Sequence, residues 1–271
     1  MTTSATQTTR SLLTRTRDHR TTRKGRLLVA LPEPNLSEPQ DAEWCVVQVE
    51  GKWRRVRFHD YAELFSIPGL YEKVIYEILG CDSPRVVCDL LKVELDRQQR
   101  EGDSLRVIDL GAGNGMVGEE LARLGTKHIV GVDIIESAAR ATERDRPGTY
   151  VDYHIADMTQ LASDQAQALR AHRFNALTCV AALGFGDIPT AAFTTAYNLV
   201  APGGLVAFNI KEEFLNGQDT SGFAGLIHAM TTGGVLEVAQ RKRYQHRLAT
   251  NRDPLHYVAF VGRKLGDIDV G

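Results

Sequence analysis

The sequence predicts an α/β fold with a doubly wound sheet, and three observations carry that expectation. Apolar runs of strand length alternate with stretches of helix length from residue 105 to 210. The first run, Leu105 to Ile108, passes through Asp109 into a loop with glycines at 111, 113 and 115, and an apolar-periodic segment starts at Met116. Near the C-terminus, strand-like runs around 244–248 and 256–261 are separated only by the turn 249–254. These runs read as two strands joined by a turn.

Composition bounds the rest. The chain has 271 residues, 43% hydrophobic and 24% charged, which is ordinary for a globular enzyme and enough for one main domain with appendages. The formal charge of −2 gives no basic field of the kind nucleic acid requires. Cys45, Cys81, Cys88 and Cys179 show no CxxC spacing, so they read as reduced thiols, and no metal is expected. There is no run of 18–20 apolar residues and no secretory signal, so no membrane partner is expected. The expected location is cytoplasmic. Oligomeric state has no sequence signal.

Three domains are expected: a basic arm and linker over 1–40, a hairpin and helical cap over 41–100, and the core over 101–271. Residues 1–26 are rich in Thr and Arg, with Asp18 the lone acid. Too little apolar surface is present to offset ordering entropy, so the segment reads as a disordered arm. The same composition suits an organellar transit peptide, which leaves import open. Residues 31–42 are punctuated by proline. Trp44 to Val49 and Trp53 to Phe58 read as a hairpin around Glu50-Gly51-Lys52, with a charge-guarded outer edge. Residues 59–80 and 83–97 read as helical, the first capped by Asp60 and the second opened by Ser83-Pro84.

Beyond the glycine loop, the run 127–132 ends in Asp133, placed to accept hydrogen bonds from ribose hydroxyls or to cap the helix from Ile135 onward. A third strand near 150–155 leads to Asp157-Met158. The fourth, 174–180, is followed by AALGFGDIP, then by a helix over 191–200. Pro202-Gly203-Gly204 stops that helix before the strand 205–210.

Residues 113–118 match G-x-G-x-x-G literally, but a dinucleotide fingerprint places its first glycine directly off the strand. Here an acid and another glycine intervene, and a strand-tip carboxylate suits a cationic ligand better than a pyrophosphate. Asp109-x-Gly111-x-Gly113-x-Gly115 resembles motif I of the class I S-adenosylmethionine-dependent methyltransferases. Residues 174–210 are similar, less specifically, to the methyltransferase-like proteins of the Williams–Beuren region type. The resemblance spans roughly residues 105–265. It implies a seven-stranded, mostly parallel sheet with a terminal antiparallel hairpin, and S-adenosyl-L-methionine as cofactor. It also implies that Asp109, Gly111, Gly113 and Gly115 hold the methionine portion, that Asp133 and Ile134 meet the ribose and its surroundings, that Asp157 and Met158 meet the adenine, and that Val180 lines the site.

The resemblance implies methyl transfer governed mainly by in-line positioning. The fourth strand is followed by Val180-Ala181-Ala182-Leu183, not the Asn/Asp-Pro-Pro-aromatic signature of amide and base N-methyltransferases. A small-molecule acceptor therefore ranks first, a protein side chain second, and nucleic acid is disfavoured. A general base is needed only for a protonated acceptor. Candidates are His59, Tyr61, Tyr71 and Glu212. Tyr71 also fits a core stripe with Val74, Ile75 and Ile78, and Glu212 a surface charge. If the 44–80 region proves structural, the acceptor pocket is expected around 182–187 and 211–214. A nicotinamide-dependent oxidoreductase, which would need a parallel sixth strand, and a catalytically silent cofactor-binding module remain open.

Overall fold

The computed structural model describes residues 27–34, 39–215 and 219–269, so the arm expected over 1–26 lies outside the described residues. The described chain divides into two compact units. The first runs to Cys81 and includes Arg247–Pro254, and the second comprises Asp82–His246 and the residues from Leu255 onward.

In the first unit, β1 (Val29–Ala30), β2 (Trp44–Val49) and β3 (Lys52–Arg57) form a three-stranded sheet, antiparallel at both pairings. Glu50 and Gly51 turn the β2–β3 hairpin with φ of 51° and 78°, the left-handed pair that matches strand twist. Four of the basic residues of β3 are exposed, as a charge-guarded edge requires. The stretch expected to be helical over 59–80 is two helices. α1 (Tyr61–Ser66) is capped by Asp60, whose Oδ1 accepts from Glu63 N at 3.1 Å. Pro68-Gly69 ends it, with Gly69 at φ 76°, and a wide π-helical segment follows at Glu72–Ile78. Cys45, Val47, Val56, Phe58, Leu64, Leu70, Val74 and Leu79 make the core. Glu43 is fully buried and pairs with Arg247, 204 residues away, while Thr250 N donates to its other oxygen. That pairing and the Leu248 N to Leu79 O bond, 2.8 Å, fix residues 247–254 in this unit.

The second unit opens with α2 (Ser83–Arg97), with Pro84 in its first turn. Its strands are β4 (Arg106–Leu110), β5 (His128–Asp133), β6 (Asp152–Ile155), β7 (Ala176–Leu183), β8 (Leu205–Lys211), β9 (Leu236–Leu248) and β10 (Pro254–Lys264). They form one seven-stranded sheet in the order β6-β5-β4-β7-β8-β10-β9. β6 through β8 pair in parallel, and β10 runs antiparallel to β8, from Tyr257 opposite Lys211 to Arg263 opposite Leu205. Crossovers between parallel strands are made by α3 (Met116–Arg123), α4 (Glu136–Asp145), α5 (Ser163–Ala171) and α6 (Thr190–Asn198), and α7 (Phe223–Thr232) precedes β9.

Both sheet faces are buried, which is why the strands read as continuous apolar runs. Ile108, Val130 and Val132 join a core with Phe193, Tyr197, Phe223 and Phe260. Val107 and Ile129, on the opposite face, join a core with Leu91 and Leu95 of α2 and Val117 and Leu121 of α3. α2 therefore belongs to this unit and not with the residues before it. β9 begins at Leu236, earlier than the 244 expected from sequence, because the helix stops at Gly233-Gly234 instead of resuming. Its Arg241-Lys242-Arg243 run is an exposed edge, and alternation supports the strand only at Leu236, Tyr244 and His246.

All four cysteines are buried and none forms a disulfide. Among the described residues no helix is long and apolar enough to cross a membrane. Lys264 is 0% exposed and donates through Nζ to Tyr197 O (2.9 Å), in the last turn of α6, and to Val200 O (2.6 Å), just beyond its end. It also pairs with Asp267. A buried ammonium here satisfies carbonyls that a helix end leaves open and complements the helix dipole. Lys264→Met keeps the stem but strands those carbonyls, and should cost about 2–4 kcal/mol in urea unfolding. A change below about 0.5 kcal/mol would show that the cap is dispensable.

Candidate functional site

β4, β5 and β6 lie side by side and their C-terminal ends present acids or lead into them, which is where a doubly wound sheet binds ligands. Asp109 is penultimate in β4 and 1% exposed. Its Oδ1 accepts from Thr178 Oγ1 at 2.6 Å, and Thr178 is its cross-strand partner on β7. Its Oδ2 accepts from Tyr150 Oη at 2.7 Å. Burial pushes the Asp109 carboxyl up to about 6, against the downward pull of those two hydroxyls.

Asp133 closes β5 and ties two loops together. Oδ2 accepts from Gly113 N and Oδ1 from Ile135 N, each at 2.9 Å. Burial raises its carboxyl above the ordinary range while these amides oppose the rise. The acid supports the entry to α4 and accepts from the glycine loop. The Gly113 carbonyl is held too, by Tyr153 Oη and Thr142 Oγ1, each at 2.8 Å. The loop thus has its central peptide groups fixed from three sides. Gly113 and Gly115 have φ of 56° and 88°, and a Cβ at Gly115 would crowd Arg146 and Tyr150.

Tyr150, Tyr153, Thr142 and Thr178 were not singled out by the sequence reading. Two glycines make space for the tyrosines. A Cβ on Gly118 would lie 2.7 Å from the Tyr150 ring, and one on Gly131 would lie 2.7 Å from the Tyr153 ring. Gly118 is the last glycine of the apparent dinucleotide fingerprint, and here it serves helix-to-tyrosine packing. The signals were present as a glycine inside an apolar strand and two tyrosines three residues apart.

The other expected cofactor residues differ in exposure. Ile134 is 60% exposed, a large apolar side chain beside the Asp133 carboxylate. Asp157 is half-buried, with Oδ1 accepting from Thr159 N and Thr159 Oγ1, which hold its carboxyl below the ordinary range. Met158 and Val180 are buried, one in each of the two cores. Gly111 donates to Val132 O at 2.8 Å, and a Cβ there would lie 2.8 Å from Ile188.

The candidate bases are scattered. His59, Tyr61 and Tyr71 lie in the first unit. His59 meets the Tyr61 ring edge-on at 5.6 Å, and Tyr71 packs on Phe65 at 4.8 Å. Glu212 pairs with Arg243 through a 2.8 Å bond that lowers its carboxyl's pKa, which makes it a weak base. A buried network went unforeseen. Asn209 Oδ1 accepts from Ala181 N at 2.6 Å, where Ala181 has φ 59°, and Asn209 Nδ2 donates to Ser83 Oγ and Tyr244 Oη. Ser83 Oγ also bonds His246 Nδ1 at 2.6 Å. These groups fix the backbone at the irregularity between Cys179 and Leu183, where the register of β7 against β8 shifts.

The donor set fits S-adenosylmethionine. Carboxylates flank a braced glycine loop, beside an exposed apolar side chain, and a sulfonium with an ammonium suits that charge. The last strand is antiparallel, opposite to the parallel continuation that a nicotinamide-binding fold requires.

Asp109 gives a pH test. A carboxyl that keeps its proton to about 6 folded, but only to about 4 unfolded, favours folding at acid pH. That contribution is full below the unfolded value and fades as pH rises through 6. Asp109→Asn cannot titrate, so its stability relative to wild type should rise by about 2–3 kcal/mol between pH 4 and pH 7.5 in urea unfolding. A pH-independent difference would contradict the raised carboxyl.

Residues 107–204 match a family described as a methyltransferase domain. The ubiquinone biosynthesis O-methyltransferase of Xanthomonas axonopodis pv. citri (strain 306) is 28% identical over 127 residues, 46% of this chain and 51% of that protein. The enzyme of the same name from Aromatoleum aromaticum (strain DSM 19018 / LMG 30748 / EbN1) is 33% identical over 106 residues, 38% of this chain and 43% of that protein. The chain therefore spans about half the length of the curated relatives it matches. The crystal structure of the N-methyltransferase NodS from Bradyrhizobium japonicum WM9 with S-adenosyl-L-homocysteine shares the fold. Its TM-score is 0.51 at 15% identity, over 76% of this chain and 97% of that one. The sheet order, the braced acid-glycine loop and the domain matched over residues 107–204 agree, and together they support a class I S-adenosylmethionine-dependent methyltransferase.

Proposed function

We propose that the protein transfers a methyl group from S-adenosylmethionine to a hydroxyl oxygen of a small, flat acceptor. The observation that carries the cofactor half is the Gly113 peptide, fixed by Asp133 on one side and by Tyr153 and Thr142 on the other. Each Asp133 oxygen already accepts one amide and keeps a second lone pair, so the group has capacity for two ribose hydroxyls. Ile134 offers apolar surface to the adenine, and Asp157 would accept from its amino group. The cofactor supplies a methyl on a good leaving group, so alignment of the nucleophile is the main task left to the protein.

The acceptor half rests on the segment after β7 and the segment after β8. Phe185 and Phe214 meet edge-to-face at 4.9 Å, and Lys211 Nζ lies 5.2 Å from the Phe185 ring. Two aromatic walls suit a flat acceptor, and an ammonium beside them favours the ionised form of a phenolic hydroxyl. The relatives named as O-methyltransferases support oxygen as the atom methylated. A cytoplasmic location accords with four buried cysteines that form no disulfide.

Asp133→Ala should weaken adenosylhomocysteine binding about tenfold or more, since charged hydrogen bonds contribute about 1.5–3 kcal/mol each. Unchanged affinity by calorimetry would reduce Asp133 to a loop brace. The acceptor is tested with labelled cofactor against a panel of small phenols and catechols, with protein extract as the competing substrate. Label on a phenol, lost at least tenfold in Lys211→Met, is expected. Label on protein alone would overturn the small-molecule reading.

A further inference from the structure

We propose that Asp152, His154 and His172 form a binding site for one divalent transition-metal ion of the zinc type, away from the glycine loop. Asp152 and His154 are alternate residues on β6 and so project from the same face of that strand. His172 follows α5 and comes to the same place. His154 Nε2 lies 3.1 Å and His172 Nε2 lies 3.5 Å from Asp152 Oδ2. One ligand atom from each residue falls within 4.8 Å of the others. Zinc bonds of about 2.0–2.2 Å put the ligand atoms of a tetrahedral ion about 3.3–3.5 Å apart, so only small side-chain adjustments are needed.

Two further features point to a ligand. His154 Nε2 is buried and makes no hydrogen bond, although it sits near Asp152. Buried polar atoms are rarely left so, and a metal bond would satisfy this one. His172 is already oriented as a metal-binding imidazole should be. Its Nδ1 bonds His128 Nε2 at 3.2 Å, leaving Nε2 toward Asp152, and its ring stacks on Phe174 with centroids 5.5 Å apart. A hydrogen bond from the second ring nitrogen and an apolar wall are the usual supports of a metal-bound histidine. Arg106 Nε holds the His172 carbonyl at 2.6 Å, which fixes the backbone.

Two imidazoles and one carboxylate select zinc, cobalt or nickel over magnesium or calcium, which prefer all-oxygen sites. Three protein ligands leave a position for water. Because β6 is an edge strand and His172 lies between α5 and β7, an ion here ties the sheet edge to that connection. Tyr153, between two ligands, points to the opposite face, where it holds Gly113.

The test is calorimetric titration of the metal-free full chain with ZnCl2, alongside thermal unfolding with and without zinc. One ion per chain with micromolar or tighter affinity is expected, with a raised unfolding temperature. Asp152→Asn, His154→Gln and His172→Gln should each weaken binding about tenfold or more, and exposed His228→Gln should not. MgCl2 should give no heat of binding. Absence of zinc binding, or binding that survives the triple substitution unchanged, overturns the proposal. If the histidine variants fail to fold, Asp152→Asn decides with Co2+ as probe. Visible absorption of four-coordinate cobalt in wild type that is lost in Asp152→Asn supports the site, and absorption identical in both overturns it.

Discussion

The second unit depends on one carboxylate. Asp133 accepts from the amide of the glycine loop and from the amide at the start of α4, and so joins the ends of β4 and β5 at a single group. A loop of alternating glycines is otherwise the most mobile kind of backbone, since each glycine admits left-handed as well as right-handed conformations. Here the central peptide is held at both its N–H and its C=O. A ligand that touches backbone then meets a surface already in place, and little ordering is left for binding to supply.

The tyrosines make that arrangement part of the core. Tyr150 and Tyr153 meet edge-to-face with centroids 5.4 Å apart, each in space left by a glycine, and each sends its hydroxyl to the loop region. Asp109 is paired within the same cluster to Thr178 on the neighbouring strand. Both of its oxygens are engaged, one by Thr178 and the other by Tyr150. Asn209, Ser83, Tyr244 and His246 do the comparable work one strand further along, where the backbone of β7 turns through a positive φ at Ala181. Buried polar groups in this sheet thus gather where a strand ends or shifts register and the backbone needs partners.

Much of this was legible in the sequence because period and punctuation carry it. Apolar runs, the Pro-Gly-Gly stop and the acid-glycine motif gave the strands, the helix ends and the loop. The hairpin at Glu50-Gly51 was legible because only a left-handed pair makes that turn. Long-range polar pairing was not legible. Glu43 with Arg247, Lys264 with the end of α6, and Thr178 with Asp109 join residues that no local pattern connects. β9 was misjudged at its start because a charged edge strand carries little alternation. The Asp152–His154–His172 cluster escaped because its ligands come from a strand and from a distant helix end, with no spacing that marks a metal site.

The central claim is that a carboxylate-lined, pre-braced glycine loop selects an adenosyl sulfonium ligand over a dinucleotide. Calorimetric titration of the purified chain with S-adenosylhomocysteine and, separately, with NAD tests it most directly. The account predicts saturable binding of adenosylhomocysteine in the micromolar range and no binding of NAD. Binding of NAD without adenosylhomocysteine would contradict it.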